Sequence, residues 1–402
     1  MKYLVAALML LAGHAQADSL NATTKAEAAI VAKLAENGAT TGRGASILFW
    51  SAAERRVGFR EIDKINPTRS IARGDSVYPL SENPTDLSGL TYTHQGKERR
   101  VQDFLDRPES IGLIVVHKNQ IIFERYQPGN DKTSRWISFS VTKSVTSMLI
   151  GAAIQDGYIE SVDEPIVNYL PRLRGTSYEQ ATIKDILQMS SGVAWNEDYA
   201  DPDSDVAHAG GLNGLALVQY LGTLETEAEP GEKWNYNTGE TNLVGQVLRA
   251  AIANNAATYL TRKIWQPFGM EFDASWTLDS INGDELGGCC INATLRDYAR
   301  LGIFAMNDGK LADGTQVLPE NWLQASTAPA KGYAGYGYLW WLQADGTYSA
   351  RGIFGQNITV DKAHELVIAM HNSAPAAVDT EFHDELNTVL NTIKAHVRAS
   401  HR

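Results

Sequence analysis

Apolar residues change their spacing several times along the chain, and each change predicts a different kind of element. Residues from Ala26 to Glu36 carry a helical pattern and are followed by Pro-, Gly- and Ser-rich loops up to about Lys97. From Ile111 the pattern turns β-rich. Two runs of branched and aromatic residues, Ile111–Val116 and Ile121–Tyr126, are joined by the polar turn His117–Asn119 and predict a hairpin. Val141, Val145, Met148, Leu149 and Ala152 then recur at helical spacing, and Gly157 is a natural cap where that helix should end. Between about Ile159 and Glu320 the signals are mostly helical. Thr182-Ile183-Lys184-Asp185 and Thr294-Leu295-Arg296-Asp297 have capping-box form, and Leu243, Val244, Val247, Leu248 and Ala251 share one helical face. Strand signals return at Tyr338–Trp341, Tyr348–Ala350, Asn357–Val360 and Glu365–Ala369, and a long helical pattern closes the chain from about Val378 to Arg398.

Strands near both ends with helices between them predict an α+β fold, one antiparallel β-sheet flanked by helices with an inserted mostly helical lobe at about residues 159–320. Residues 18–97 read as an N-terminal extension to a domain at 98–402.

Composition adds a compartment and removes several function classes. Of 402 residues, 44% are hydrophobic and 20% charged, an ordinary balance for a globular chain with a large core. Residues 1–17 have the form of a secretory leader: Met1-Lys2, the apolar run Tyr3–Ala12, then Ala15-Gln16-Ala17, with cleavage expected before Asp18 and a periplasmic or secreted product. That run is too short to span a bilayer, and no later apolar stretch reaches about 18 residues, so no membrane span is expected. The formal charge of -12 becomes -13 once Lys2 is lost, which speaks for solubility and against nucleic acid. Cys289 and Cys290 fit no zinc motif, and a bond between neighbours closes a strained ring, so a buried or half-buried pair is expected over any redox role. Nine scattered histidines and the lack of phosphate-binding loops or dinucleotide fingerprints point to no cofactor and no metal.

Four stretches carry candidate chemistry. Ser140 and Lys143 are three residues apart at the head of the predicted helix, so hydroxyl and amine share a face. The amine becomes a base for the hydroxyl only if desolvation or nearby cations depress its pKa. Alone, this spacing is also what a polar first turn of a buried helix looks like. Tyr236, in the aromatic stretch Trp234–Tyr236 before a helix, can shuttle a proton if a nearby lysine ammonium favours its phenolate, or it is a core aromatic. Gly352-Ile353-Phe354-Gly355 offers close backbone approach, so the Ile353 N–H can donate beside that of Ser140, or it is a tight bend. The loop Met189–Pro202, with Trp195, Tyr199 and several acids, reads as a lid or as a solvated acidic loop.

Ser140-Val141-Thr142-Lys143, Tyr236-Asn237-Thr238 and Gly352-Ile353-Phe354-Gly355-Gln356, in that order, resemble the serine hydrolases related to class C β-lactamases and penicillin-binding proteins. Within that group the chain is most similar to the 6-aminohexanoate-dimer hydrolase branch, which also matches Leu187–Gly192 and Tyr199–Pro202, over about residues 100–375. The resemblance implies a serine β-lactamase-like fold and a small-molecule amide or ester substrate. It implies that Ser140 is acylated, that Lys143 and Tyr236 handle its proton, and that the backbone N–H groups of Ser140 and Ile353 hold the oxyanion. It also implies that Tyr199 serves the leaving group and that Trp195, Arg351, Gly352 and Gln356 contact substrate. Three departures qualify it. Thr238 replaces the asparagine of Tyr-x-Asn, Arg351 stands where Lys-Thr-Gly has lysine, and Val206–Gly211 holds no carboxylate for a substrate ammonium. A β-lactamase or DD-peptidase acting on a peptidoglycan fragment, and a non-catalytic sensor, are the competing readings.

Overall fold

The computed structural model describes residues 25–38 and 47–400; the leader read at residues 1–17 lies outside them. Its larger sheet has seven strands in the spatial order Trp341–Leu342, Tyr348–Arg351, Asn357–Asp361, Leu366–Asn372, Ser110–His117, Gln120–Tyr126, Ser81–Glu82. Neighbours are antiparallel except at one edge, where Ser81–Glu82 runs parallel to Gln120–Tyr126. The antiparallel sheet expected from the sequence is thus present, with that short edge strand added in parallel. The expected hairpin forms the fifth and sixth strands of the sheet, and Ser110–His117 is buried along its whole length. Side chains alternate across a strand, so Ile114 and Val116 enter one core while Ile111, Leu113 and Val115 enter the other.

On one face the helix Leu295–Met306 lies so close that a Cβ on Gly302 would come within 2.6 Å of Val367. On the other face pack the helix Thr380–Ala399 and the segments before residue 105. Glu385 of that helix is buried and accepts hydrogen bonds from Arg99 at 2.5 Å, Arg107 at 2.6 Å and the Tyr92 hydroxyl at 2.8 Å, which ties the N-terminal segments to the sheet domain.

A second, four-stranded antiparallel sheet has the order Thr68–Ile71, Ala274–Thr277, Ile291–Thr294, Arg135–Ile137. It differs from expectation, since one strand lies in the stretch read as an extension and two lie in the stretch read as helical. Each strand has three or four residues, too few for a period of two to stand out. Tyr338–Trp340 also departs from the predicted strand. Leu339 takes a left-handed conformation (φ 60°), and pairing begins only at Trp341.

The helix Val141–Gln155 is buried from Val141 to Ala153. A helix enclosed on every side has no polar face, so two of its small polar residues find partners inside: Ser144 donates to the Leu339 carbonyl at 2.6 Å and Thr146 to that of Gly287 at 2.7 Å. Gly151 seats the ring of Trp322, which a Cβ would meet at 2.7 Å.

Candidate active site

Ser140 is delivered to the head of this helix by the strand Arg135–Ile137, which pairs with Ile291–Thr294. Between strand and helix the chain turns sharply, and Phe139 is held at φ 45°. A left-handed phenylalanine costs on the order of 1–3 kcal/mol unless its surroundings hold it. Its ring is buried against Phe59 and Phe354, each at 5.0 Å between centroids. Phe139 and Phe354 directly adjoin Ser140 and Ile353 in sequence, so one aromatic contact couples the two turns whose N–H groups would form an oxyanion hole. The second turn is closed by Gly352 N–H to Gln356 O at 2.8 Å, and a Cβ on Gly352 would strike the Ser138 carbonyl at 2.7 Å.

Lys143 is buried one turn along, and its ammonium donates to the Thr238 hydroxyl at 3.0 Å and the Gly288 carbonyl at 3.2 Å. Burial pulls the amine down from its ordinary value to about 8, with the Glu197 carboxylate pulling the other way. The desolvation that a lysine base requires is therefore present. Tyr236 lies beside it, its ring centroid 5.4 Å from the Lys143 nitrogen, stacked on Trp341 and hydrogen-bonded to Ser140. Burial pushes this phenol above its ordinary value, Glu197 adds to that, and the Ser140 hydrogen bond opposes it. Of the two states the sequence leaves open for Tyr236, burial favours the neutral phenol.

Thr238, at the asparagine position of Tyr-x-Asn, contacts Lys143. Its hydroxyl accepts from Lys143 and donates to Glu197, and its backbone N–H donates to Glu197 at 3.0 Å. Glu197 also accepts from the Trp195 indole and from the Tyr199 hydroxyl. Reading the sequence misses Glu197, since nothing in Asn196-Glu197-Asp198 separates it from a solvated acid. Tyr199 is half-buried, and loss of water first and Glu197 second raise its phenol well above the ordinary value.

Ser140, Lys143, Trp195 and Tyr199 line one cavity of about 140 Å³, together with Ile353. Tyr199, Tyr236, Arg351, Gly352 and Ile353 line a second cavity of about 550 Å³. Gln356 reaches neither. It is buried, with its side chain accepting from Phe354 N–H at 3.2 Å and donating to Asn372 O at 3.0 Å, so it closes the turn. The N-terminal segment, to which no chemistry is assigned from the sequence, supplies Ile47 and Leu48 to the first cavity. Cys289 and Cys290 line it too.

The Beta-lactamase family profile matches residues 98–389. The chain belongs to the beta-lactamase family. Among its curated relatives is the 6-aminohexanoate-dimer hydrolase of Paenarthrobacter ureafaciens, 26% identical over 84% of this chain and 90% of that protein. The solved structure of a putative 6-aminohexanoate-dimer hydrolase from Bacillus anthracis superposes with a TM-score of 0.76, 20% identity and coverage of 86% of this chain and 94% of that one. A penicillin-binding protein homolog from Caulobacter crescentus gives a TM-score of 0.56 at 16% identity, covering 73% and 95%. This beta-lactamase-family chain is thus a serine hydrolase, similar to 6-aminohexanoate-dimer hydrolases. No helix among the described residues is long and apolar enough to cross a membrane.

Proposed function

We propose that the chain is an exported hydrolase that cleaves an amide or ester through an acyl-enzyme on Ser140. The observation that carries this reading is the fully buried Lys143, its amine drawn to about 8 one helical turn from Ser140. In its neutral form Lys143 takes the Ser140 proton as Oγ adds to the substrate carbonyl. The N–H groups of Ser140 and Ile353 hold the resulting oxyanion. As the tetrahedral adduct collapses, the bond to the leaving group breaks and the neutral Tyr236 phenol gives that group its proton, regaining one from the Lys143 ammonium. Water then repeats the sequence on the ester carbonyl and frees Ser140. Tyr199 adds a second neutral phenol beside the departing group, and the form of residues 1–17 supports export.

Intact protein treated with a fluorophosphonate is expected to gain one adduct, on Ser140, and Ser140→Ala is expected to abolish both labelling and p-nitrophenyl ester turnover. An unlabelled protein beside a reactive control hydrolase overturns the reading. Enzyme-like turnover of a chromogenic cephalosporin would replace the amide or ester preference with a β-lactam one.

A further inference from the structure

The Lys143 ammonium has two acceptors, and they differ in kind. One is the Gly288 carbonyl at 3.2 Å and the other the Thr238 hydroxyl at 3.0 Å. A carbonyl only accepts. A hydroxyl accepts and donates, so a proton arriving on its oxygen can release the hydrogen already there. Tyr236 is placed differently, since its hydrogen bond is to Ser140 and only its ring lies near the Lys143 nitrogen, 5.4 Å from the centroid. No hydrogen bond joins Lys143 to Tyr236 among the described residues.

Thr238 donates in turn to Glu197, whose two oxygens divide their donors by type. Oε1 accepts two hydroxyls, that of Thr238 and that of Tyr199, the latter at 2.5 Å. Oε2 accepts two N–H groups, the Trp195 indole and the Thr238 amide, the latter at 3.0 Å, and neither can take a proton in return. The N–H pair fixes the carboxylate, and the oxygen facing the hydroxyls joins them. An unbroken chain of donors and acceptors therefore runs from Lys143 through Thr238 and Glu197 to Tyr199, which lines both cavities beside Ser140. The asparagine of Tyr-x-Asn would interrupt it, because a carboxamide oxygen accepts from a lysine but carries no hydrogen to hand on.

We infer that Thr238 and Glu197 relay a proton from the Lys143 ammonium to the Tyr199 phenol, which delivers it to amine leaving groups. The inference rests on the acyl-enzyme reading above. When the tetrahedral adduct has formed, Lys143 holds the proton that Ser140 gave up. It passes one proton to Thr238 Oγ1, and the Thr238 hydrogen moves to Glu197 Oε1. The carboxylic acid so formed donates to Tyr199, whose own hydrogen turns to the leaving nitrogen. As the C–N bond breaks, its electron pair takes that hydrogen, and the Tyr199 oxygen takes the one on Glu197. The amine departs neutral, Lys143 is left as a free base, and Thr238, Glu197 and Tyr199 end as they began. Tyr236 remains the other phenol at the leaving group; the chain adds a hydrogen-bonded return path to Lys143 that Tyr236 lacks. A p-nitrophenolate departs as an anion and makes no use of the relay, whereas an amide anion is too basic to leave without a proton.

The test uses the p-nitroanilides and p-nitrophenyl esters of acetate and butanoate, matched pairs that differ only in the atom that leaves. The quantity read is kcat/KM for the anilide over that for its ester, so losses common to both substrates cancel. Thr238→Asn, Glu197→Gln and Tyr199→Phe are each expected to lower this ratio about tenfold, and Thr238→Ser, which keeps the hydroxyl, to hold it within about threefold of the parent. Because all act on one path, Thr238→Asn combined with Tyr199→Phe is expected to lower the ratio no further than either alone. Four results would overturn the relay: an unchanged ratio in Thr238→Asn or Glu197→Gln, an equal loss in Thr238→Ser, losses that multiply in the double variant, or anilides that the parent does not cleave. Ser140→Ala tests the level beneath. Ester turnover lost there upholds the serine hydrolase whichever way the ratio falls, and ester turnover that persists removes the underlying reading.

Discussion

The head of the Val141–Gln155 helix and the loop at residues 195–201 meet at Thr238, and they are built in different ways. The helix head is enclosed by the core. Lys143 is pinned by a backbone carbonyl as well as by Thr238, and the Ser140 turn is locked by the rings of Phe59, Phe139 and Phe354. Beyond the buried Trp195 the loop has no such enclosure, since Asn196, Asp198 and Ala200 are exposed, and its hydrogen bonds to Thr238 run through the carboxylate of Glu197. Packing fixes a position against every displacement at once, whereas hydrogen bonds from side chains fix it only while each partner is present. Changes at the helix head should therefore remove the reaction, and changes in the loop should retune it.

The largest effect is expected from Lys143→Ala. Loss of the proposed base should slow acylation by about 10²- to 10⁴-fold. Stopped-flow burst kinetics with a p-nitrophenyl ester would measure it, and near-normal acylation would place the base elsewhere. Gly352→Ala comes next. Its Cβ would press on the Ser138 carbonyl at 2.7 Å and on the Gln356 side chain at 2.6 Å, displacing the Ile353 N–H. Losing one oxyanion donor costs about 10²–10³ in rate, so kcat should fall by that order with KM little changed. A change in KM alone would show that the Ile353 N–H does not face the oxyanion.

Two changes in the loop test its side of the comparison. Tyr199→Phe should slow amide cleavage about tenfold more than ester cleavage, because an amine needs a proton to depart and a phenolate does not. Equal slowing of both substrates would exclude a leaving-group role. Glu197→Gln should act on the pH profile. Its amide can face the Tyr199 and Thr238 hydroxyls while its carbonyl keeps the indole and Thr238 N–H donors, so the local hydrogen bonds survive. Only the charge is lost. Since Glu197 raises the Lys143 pKa and the neutral amine is the active form, activity that rises as pH climbs through about 8 should begin to rise at lower pH in the variant. An unmoved limb in kcat/KM would uncouple Glu197 from Lys143.

What could be read in advance follows the same division. The hairpin, the Ser140–Lys143 pair and the Thr294 cap rest on residues a few positions apart, where local spacing decides the geometry. Glu197 meets Thr238 across 41 residues, and Ile47 and Leu48 reach the Ser140 cavity from a segment that carries no motif. The neutral state of Tyr236 was illegible for another reason: it depends on how much water the fold removes, which no spacing records. The second sheet escaped in the same way, its four short strands being brought together from four separate parts of the chain.

The smallest expected effect concerns Glu240, a second acid where the loop meets the helix Thr238–Ile252. It is buried, accepts from Ser191, and has one oxygen without a partner. Burial raises its carboxyl to about 8, with the Ser191 hydrogen bond opposing. A group whose folded-state pKa is raised favours folding while it stays protonated, so its contribution is complete below about pH 4.3, the ordinary glutamate value, and is lost as pH rises toward about 8. Glu240→Gln keeps the shape and stays neutral throughout. Urea midpoints measured from pH 5 to pH 8 should therefore fall less steeply in the variant than in the parent, with little change in kcat at pH 7. Parallel slopes would mean that Glu240 is ionised in the fold. In that case the junction between loop and helix would hold two charges, and the loop would be under greater electrostatic strain than its contacts with Thr238 suggest.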